Sequence, residues 1–230
     1  MVLGSDKILI FHPALAQYFK KFQDKIIDVN FGDFRTFILS KDNPTNPTFL
    51  PRYQNWLENR SVEGPDIVFI GEYKSRKNIN WLYEFALKNK MINVLIIAHK
   101  MPIETNVPEN IFIHRESKIF SELDIVLRNS GLIGFVAHDN YSVPTVLHVY
   151  ADYDMPVLGY DIIPVSCILN HYNCGVTFNN LESIISGYQE IRANYNFYSA
   201  GMRRLALENT WEKSAMCHKT AFDITDACFK

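Results

Sequence analysis

Asn140-Tyr-Ser-Val-Pro-Thr-Val-Leu-His-Val-Tyr-Ala-Asp-Tyr-Asp-Met-Pro-Val-Leu-Gly-Tyr160 reads as a polar turn, a helix, a short break and a buried strand ending in Gly159. Pro144 suits the start of the helix, where its missing N–H costs nothing. A second unit of the same kind follows: a helix over Val165–His171, then a strand, Gly175–Phe178, within Cys174-Gly-Val-Thr-Phe-Asn-Asn180. Repeated strand–helix units of this kind build a mainly parallel sheet with helices on both faces. Open sheets of that class bind ligands in the loops at the carboxyl ends of their strands, so residues 140–145 lie where a ligand is expected.

Working outward, the alternation extends back to Asp66. Short apolar runs predict strands at Asp66–Gly71, Asn93–Ala98, Ile111–His114, Leu132–Val136 and Pro156–Leu158. Helices are expected at Lys77–Asn89, Ser117–Arg128, Val143–Ala151 and Leu181–Ala193, with a closing helical pair at about Tyr195–Leu207 and Trp211–Phe229. Nearer the amino terminus, Lys7–Phe11 and Lys25–Phe31 read as strands around a helix that Pro13 opens. Residues 40–51 hold three prolines and no periodicity, the mark of a surface loop, and lead into a short helix near Arg52–Asn59. The expected fold class is α/β: a Rossmann-like, mainly parallel sheet with helices on both faces and a C-terminal helical pair. Three units are expected, residues 1–40, 41–60 and 61–230.

The composition supports a packed domain: 230 residues, 47% apolar, with 16 Phe and 12 Tyr. A formal net charge of −2 is unlike that of a protein built to coat nucleic acid, although a local basic cluster can still bind phosphate. Four cysteines (Cys167, Cys174, Cys217, Cys228) form no CxxC and have no histidine at metal spacing; reduced, buried thiols are expected. No signal peptide is visible and no apolar run approaches the ~20 residues of a membrane span. The expectation is a soluble cytoplasmic protein. HxxxH, HExxH and GxSxG are all absent, so neither a metal site nor a covalent hydrolase is expected.

Three turns could carry chemistry. Gly71-Glu-Tyr-Lys-Ser-Arg-Lys77 leaves a strand and enters a helix. Gly71 allows close backbone approach, and Lys74, Arg76 and Lys77 surround a helix amino terminus that already favours anions. By itself this turn reads equally as a diphosphate cradle or as a solvated basic loop with a helix cap. His114-Arg115-Glu116-Ser117 could hold the base or ribose of a nucleotide through backbone groups, with Arg115 on phosphate. The simpler reading gives Ser117 a capping role and leaves Arg115 in water. The third turn, after Val136, offers Asn140, Tyr141, Pro144 and Thr145, a set of amide and hydroxyl partners suited to a sugar. His138 and Asp139 precede it as the one adjacent His/Asp pair in the chain; the pair could serve acid–base chemistry but by itself is weak evidence for it, and His148, on the helix, reads as packed or capped rather than catalytic.

Taken together, three segments resemble the second, donor-binding domain of GT-B glycosyltransferases. Asp66–Asn78 resembles that domain's opening strand and its Gly-x4-[Arg/Lys]-Lys turn. Tyr141–Leu158 resembles the donor-binding helix and the strand after it, here Asp154-Met-Pro-Val-Leu158, and Gly175–Arg204 resembles the closing segment, here Gly175-Val-Thr-Phe-Asn-Asn-Leu-Glu-Ser-Ile184, and the helices after it. The resemblance covers roughly residues 66–225; residues 5–35 resemble the end of the acceptor domain, most of which has no counterpart here. It implies a nucleotide-sugar donor as co-substrate, no cofactor or metal, and an acceptor half supplied by a second protein chain or by self-association. Pro144-Thr-Val146 stands where such relatives carry Pro-His-Lys, and the Glu-x7-Glu pair of many retaining relatives is absent. Donor binding would then rest on Lys74, Arg76 and Lys77. The rival expectation is a non-catalytic, glycosyltransferase-like subunit that binds a partner chain or glycan. A sugar-modifying enzyme acting on nucleic acid is a third, which the charge balance does not support.

Overall fold

The structure, a computed structural model, describes residues 8–10, 20–21, 26–28, 49–73, 78–99, 101, 107–115, 120–128, 131–139, 143–210 and 212–216. Near the amino terminus β1 (Ile8–Ile10) pairs in parallel with β2 (Ile26–Asp28). Helix α1 (Phe49–Arg60) follows, and then the alternation of the main domain: β3 (Ile67–Glu72), α2 (Ile79–Lys88), β4 (Val94–His99), β5 (Ile111–His114), α3 (Phe120–Leu127), β6 (Ile133–Val136), α4 (Val146–Ala151), β7 (Val157–Tyr160), α5 (Val165–Tyr172), β8 (Gly175–Phe178), α6 (Leu181–Ala193) and α7 (Tyr195–Glu208). Among the described residues no helix is long and apolar enough to cross a membrane.

The six strands β3 to β8 form one parallel sheet in the order β5-β4-β3-β6-β7-β8. Because side chains alternate along a strand, each strand feeds two cores. Val68, Leu95, Phe112, Leu132 and Val157 face a cluster built by α1, α3, α4, α5 and α7. Ile67, Phe69, Ile96, Ile133 and Phe135 face a cluster closed by α2 and α6. Both faces are covered, which explains why these strands read as continuous apolar runs rather than alternating ones. The expected fold class holds.

Local chemistry sets the element ends. Asn180 caps α6 in a reciprocal box: its Oδ1 accepts the Ser183 N–H at 2.8 Å, and Ser183 Oγ accepts the Asn180 N–H at 3.1 Å. Helix α1 starts at Phe49, earlier than the expected Arg52, because the carboxylate of Glu122 on α3 accepts the Leu50 N–H at 3.0 Å. Helix α4 starts at Val146 rather than Val143, after a turn in which Leu147 N–H reaches Pro144 O at 3.0 Å. Helix α2 begins at Ile79, since Asn78 is left-handed at φ 43°. Strand β7 runs on to Tyr160, whose pairing with Phe178 prolongs it past Leu158. Residues 212–216 are helical; the rest of the helix expected over Trp211–Phe229 lies outside the described residues.

Buried Asn110, just before β5, anchors the end of α2. Its Nδ2 donates to Ala86 O (3.0 Å), Asn89 O (3.3 Å) and Ile92 O (2.8 Å). Asn110→Ala strips these carbonyls of their donor and is expected to cost about 1–3 kcal/mol. A urea titration should show a lower midpoint with an unchanged slope; an unmoved midpoint would mean that water replaces the amide at no cost.

Candidate functional site

The sheet order places β3 at the centre, with the chain running outward through β4 and β5 and then crossing to β6 on the other side. In such sheets the switch point, here between β3 and β6, opens a crevice at the carboxyl ends of the strands. The ladders on the two sides of β3 are unequal. β3 pairs with β4 along all six residues, from Ile67↔Val94 to Glu72↔His99. It pairs with β6 only at Ile67↔Ile133 and Val68↔Gly134, although both strands continue beyond that register.

Tyr150 of α4 fills the base of the opening. Its hydroxyl accepts the Ile70 N–H at 3.2 Å and donates to Val68 O at 3.0 Å, with Phe135 O at 3.5 Å. One side-chain oxygen thus takes up the β3 groups that a continued ladder would have paired with β6, and buried backbone groups need such partners. The ring lies across Gly134, where a Cβ would come within 2.5–2.8 Å of ring atoms Cδ2, Cε2 and Cγ. Tyr150 is fully buried; that burial raises the pKa of its hydroxyl well above the ordinary value, so the group keeps its proton.

Around this seam the structure places the candidate residues as follows. Gly71, at φ 156° in the positive range that glycine readily populates, is the penultimate residue of β3, opposite Ala98. His114 ends β5, beside Ile97, and is 1% exposed, with its ring edge-on to Phe49 at 4.9 Å. Its imidazole belongs to the core beneath α1, so its backbone is what it brings to the rim. Arg115 is half-buried beyond it. Pro144 is buried and Thr145 exposed at the amino end of α4, with no capping bond from the Thr145 hydroxyl. His138 is half-buried and Asp139 exposed after β6, while His148 is buried on α4. Lys74, Arg76, Lys77, Ser117, Asn140 and Tyr141 lie outside the described residues. Gly71 therefore lies at the carboxyl end of β3, and Arg115, His138 and Thr145 follow the carboxyl ends of β5 and β6, on one edge of the sheet. Tyr150 and Gly134 carried no sequence motif, but an isolated glycine within an apolar strand is a known mark of close approach.

The opposite, amino-terminal edge is stitched rather than open. Arg192 of α6 pairs with Asp66 and donates to Gly131 O at 2.7 Å and to Tyr188 Oη at 3.1 Å. Asp66 also accepts the Asn93 N–H at 2.8 Å and the Tyr188 O–H at 3.2 Å. A cavity of 530 Å³ beside this network is lined by Asp66, Asn93, Gly131 and Arg192. Those polar groups already hold protein partners, and the cavity is at the wrong end of the strands for the ligands of an open α/β sheet.

Among the described residues no group of three or more His, Cys, Asp or Glu could hold a metal ion. Cys174 is buried, and burial pushes its thiol from 9.0 up to about 12; burial likewise pushes the Tyr172 hydroxyl up to about 12. Cys167 is half-buried, and Cys217 and Cys228 lie outside the described residues. Below pH 9 the Cys174 proton stays on in both folded and unfolded chains. Above it the unfolded chain releases the proton and the folded one does not, so stability falls as pH rises. At pH 10 this single thiol is expected to cost about 1.4 kcal/mol. Urea midpoints at pH 8 and pH 10 check this, and Cys174→Ala should shrink the difference; an identical drop in that variant would assign it to other groups.

No protein family model matches the sequence, and no curated protein matches it. Solved structures are similar in fold. A glycosyltransferase from Rickettsia africae superposes with a TM-score of 0.62 at 17% identity, covering 98% of this chain and 64% of its own. Sucrose-phosphate synthase from Thermosynechococcus elongatus gives 0.69 at 12% identity, with 98% and 59% covered. HepE from Anabaena, solved in complex with UDP-glucose, gives 0.65 at 8% identity, with 96% and 64% covered. This chain spans less than two thirds of the length of each. Its fold is that of the GT-B glycosyltransferases.

Proposed function

We propose that this chain is a nucleotide-sugar-dependent glycosyltransferase of the hexosyltransferase type, or the donor-binding subunit of one. The observation that carries the reading is the opened ladder between β3 and β6, at the switch point of a fold shared with a protein solved with UDP-glucose. Lys74, Arg76 and Lys77, after Gly71, would hold the diphosphate and stabilise it as it leaves, by setting positive charge where negative charge develops. That role is one a metal ion could fill, so the proposed transfer is metal-independent. His114, Arg115 and Ser117 would grip the base or ribose, His114 through its backbone. Asn140, Tyr141, Pro144 and Thr145 would orient the sugar. The acceptor half would come from a second chain or a second copy, with residues 1–40 forming the end of an acceptor-type unit.

Calorimetry with UDP, GDP and their sugars tests this. Binding is expected in the micromolar to millimolar range, and Lys74→Ala or Lys77→Ala should each weaken it about 10- to 100-fold, the worth of a charged hydrogen bond. No binding at millimolar ligand would sink the proposal. The reading as a non-catalytic subunit draws on Thr145-Val146 in place of a histidine and lysine. Donor turnover by the purified chain would exclude it.

A further inference from the structure

We infer that Tyr150 is a positioning residue of the nucleotide site: its hydroxyl sets the gap between β3 and β6 and fixes the backbone from which the Gly71 turn departs. The inference rests on the donor-binding reading above and deepens it. Three observations carry it. The β3–β6 ladder stops at Val68↔Gly134 while β3 stays paired to β4 as far as Glu72. The Tyr150 hydroxyl bonds both Val68 O and Ile70 N–H, and Ile70 is the residue immediately before Gly71. Gly134 is the place where a side chain would push the ring away.

The geometry has a direct consequence for a ligand. A hydrogen bond to the Ile70 N–H fixes the peptide plane between Phe69 and Ile70, and with it the placement of Gly71 and Glu72, the last two residues of β3 before the chain leaves the sheet. Tyr150 lies on α4, the helix that follows the 140–145 turn. One oxygen therefore links the helix behind the proposed sugar turn to the strand that opens the proposed diphosphate turn. The two turns can bind the ends of one ligand only if their spacing is held, and displacements near 1 Å are costly in sites of this kind. A tyrosine that merely filled space would act through its ring; this one also acts through its oxygen.

Tyr150→Phe keeps the ring and removes that oxygen. Calorimetry with UDP and GDP, run well below the melting temperature of both proteins, reads the affinity of folded protein alone. The variant is expected to bind about tenfold more weakly than wild type, roughly the upper end for one net hydrogen bond. Exchange of the Ile70 amide should also be faster in the variant. Equal affinity in folded wild-type and Tyr150→Phe protein overturns the positioning role and leaves the donor-binding reading standing. Wild-type protein that binds neither nucleotide overturns both. If Tyr150→Phe does not fold, hydrogen exchange of wild-type protein decides. Saturating UDP should then slow the Ile70 amide severalfold; UDP binding with unchanged Ile70 exchange overturns the inference.

Discussion

Replacing Phe49 by alanine is expected to lower the unfolding free energy by about 3–5 kcal/mol, the usual cost of emptying a fully buried phenylalanine site. Phe49 is 0% exposed. Its ring lies 5.5 Å from Tyr53, 6.1 Å from Phe112 and 4.9 Å from His114. Phe49 and Tyr53 are the buried residues of α1. The helix is also held by the Leu50 N–H on Glu122, by the Trp56 indole N–H on Glu109 O at 2.9 Å and by Arg60 on Asn93 and Lys90. Without Phe49 those polar contacts lose the packing that aligns them, so α1 should loosen over β5 before the sheet itself fails. A globular domain has only about 5–15 kcal/mol in hand, which makes this a severe change. Urea titration followed by Trp fluorescence checks the magnitude, and hydrogen exchange over residues 49–60 checks the location. A loss under 1 kcal/mol would show that α1 packs too loosely for its aromatic face to matter.

Gly134→Ala is the second large effect, expected at about 1–3 kcal/mol as overpacking of a filled core. The added Cβ would sit 2.5–2.8 Å from three ring atoms of Tyr150. The ring cannot swing aside freely, because its hydroxyl is held between Val68 O and Ile70 N–H. Either the oxygen leaves these groups, or β6 moves from β3 where the two strands share only two paired positions. The first route breaks the contact that Tyr150→Phe breaks. The double variant should therefore be less destabilised than the sum of the singles, and a double-mutant cycle measures the difference. Additivity within about 0.3–0.5 kcal/mol would show that the two sites are independent.

Much of this architecture was legible because a parallel sheet buried on both faces writes each strand as a short apolar run between polar turns. Ile67–Glu72, Val94–His99 and Ile111–His114 are of that kind, and the helices between them follow from alternation. Element ends were less legible where the deciding contact is remote. The start of α1 depends on Glu122, 72 residues further along than Leu50, and no local pattern reports it. The side of the sheet a strand residue faces is equally hidden, and so His114, one of the candidate site residues, proved to place its ring in the core under Phe49. The carboxyl-edge position of Gly71, Arg115 and Thr145 follows from topology alone. The seam residue Tyr150 could not be found in this way, since its role comes from hydrogen bonds across 80 and 82 residues. Gly134 was its only trace in the sequence.

The uneven ladders also shift the joining of the sheet's two halves from backbone to side chains. β5-β4-β3 and β6-β7-β8 are each well laddered within themselves, while the ladder between β3 and β6 has two residue pairs, with the Tyr150 hydroxyl beside them. Proteins open in contiguous cooperative blocks, and a boundary forms where few contacts cross. Few ladder pairs cross the line through Val68 and Gly134, but both side-chain cores run across it. Side chains therefore carry what the ladder does not: Arg192 of α6 pairs with Asp66 at the amino-terminal edge, and Trp81 of α2 lies against Tyr160 and Phe178 at the carboxyl ends of β7 and β8.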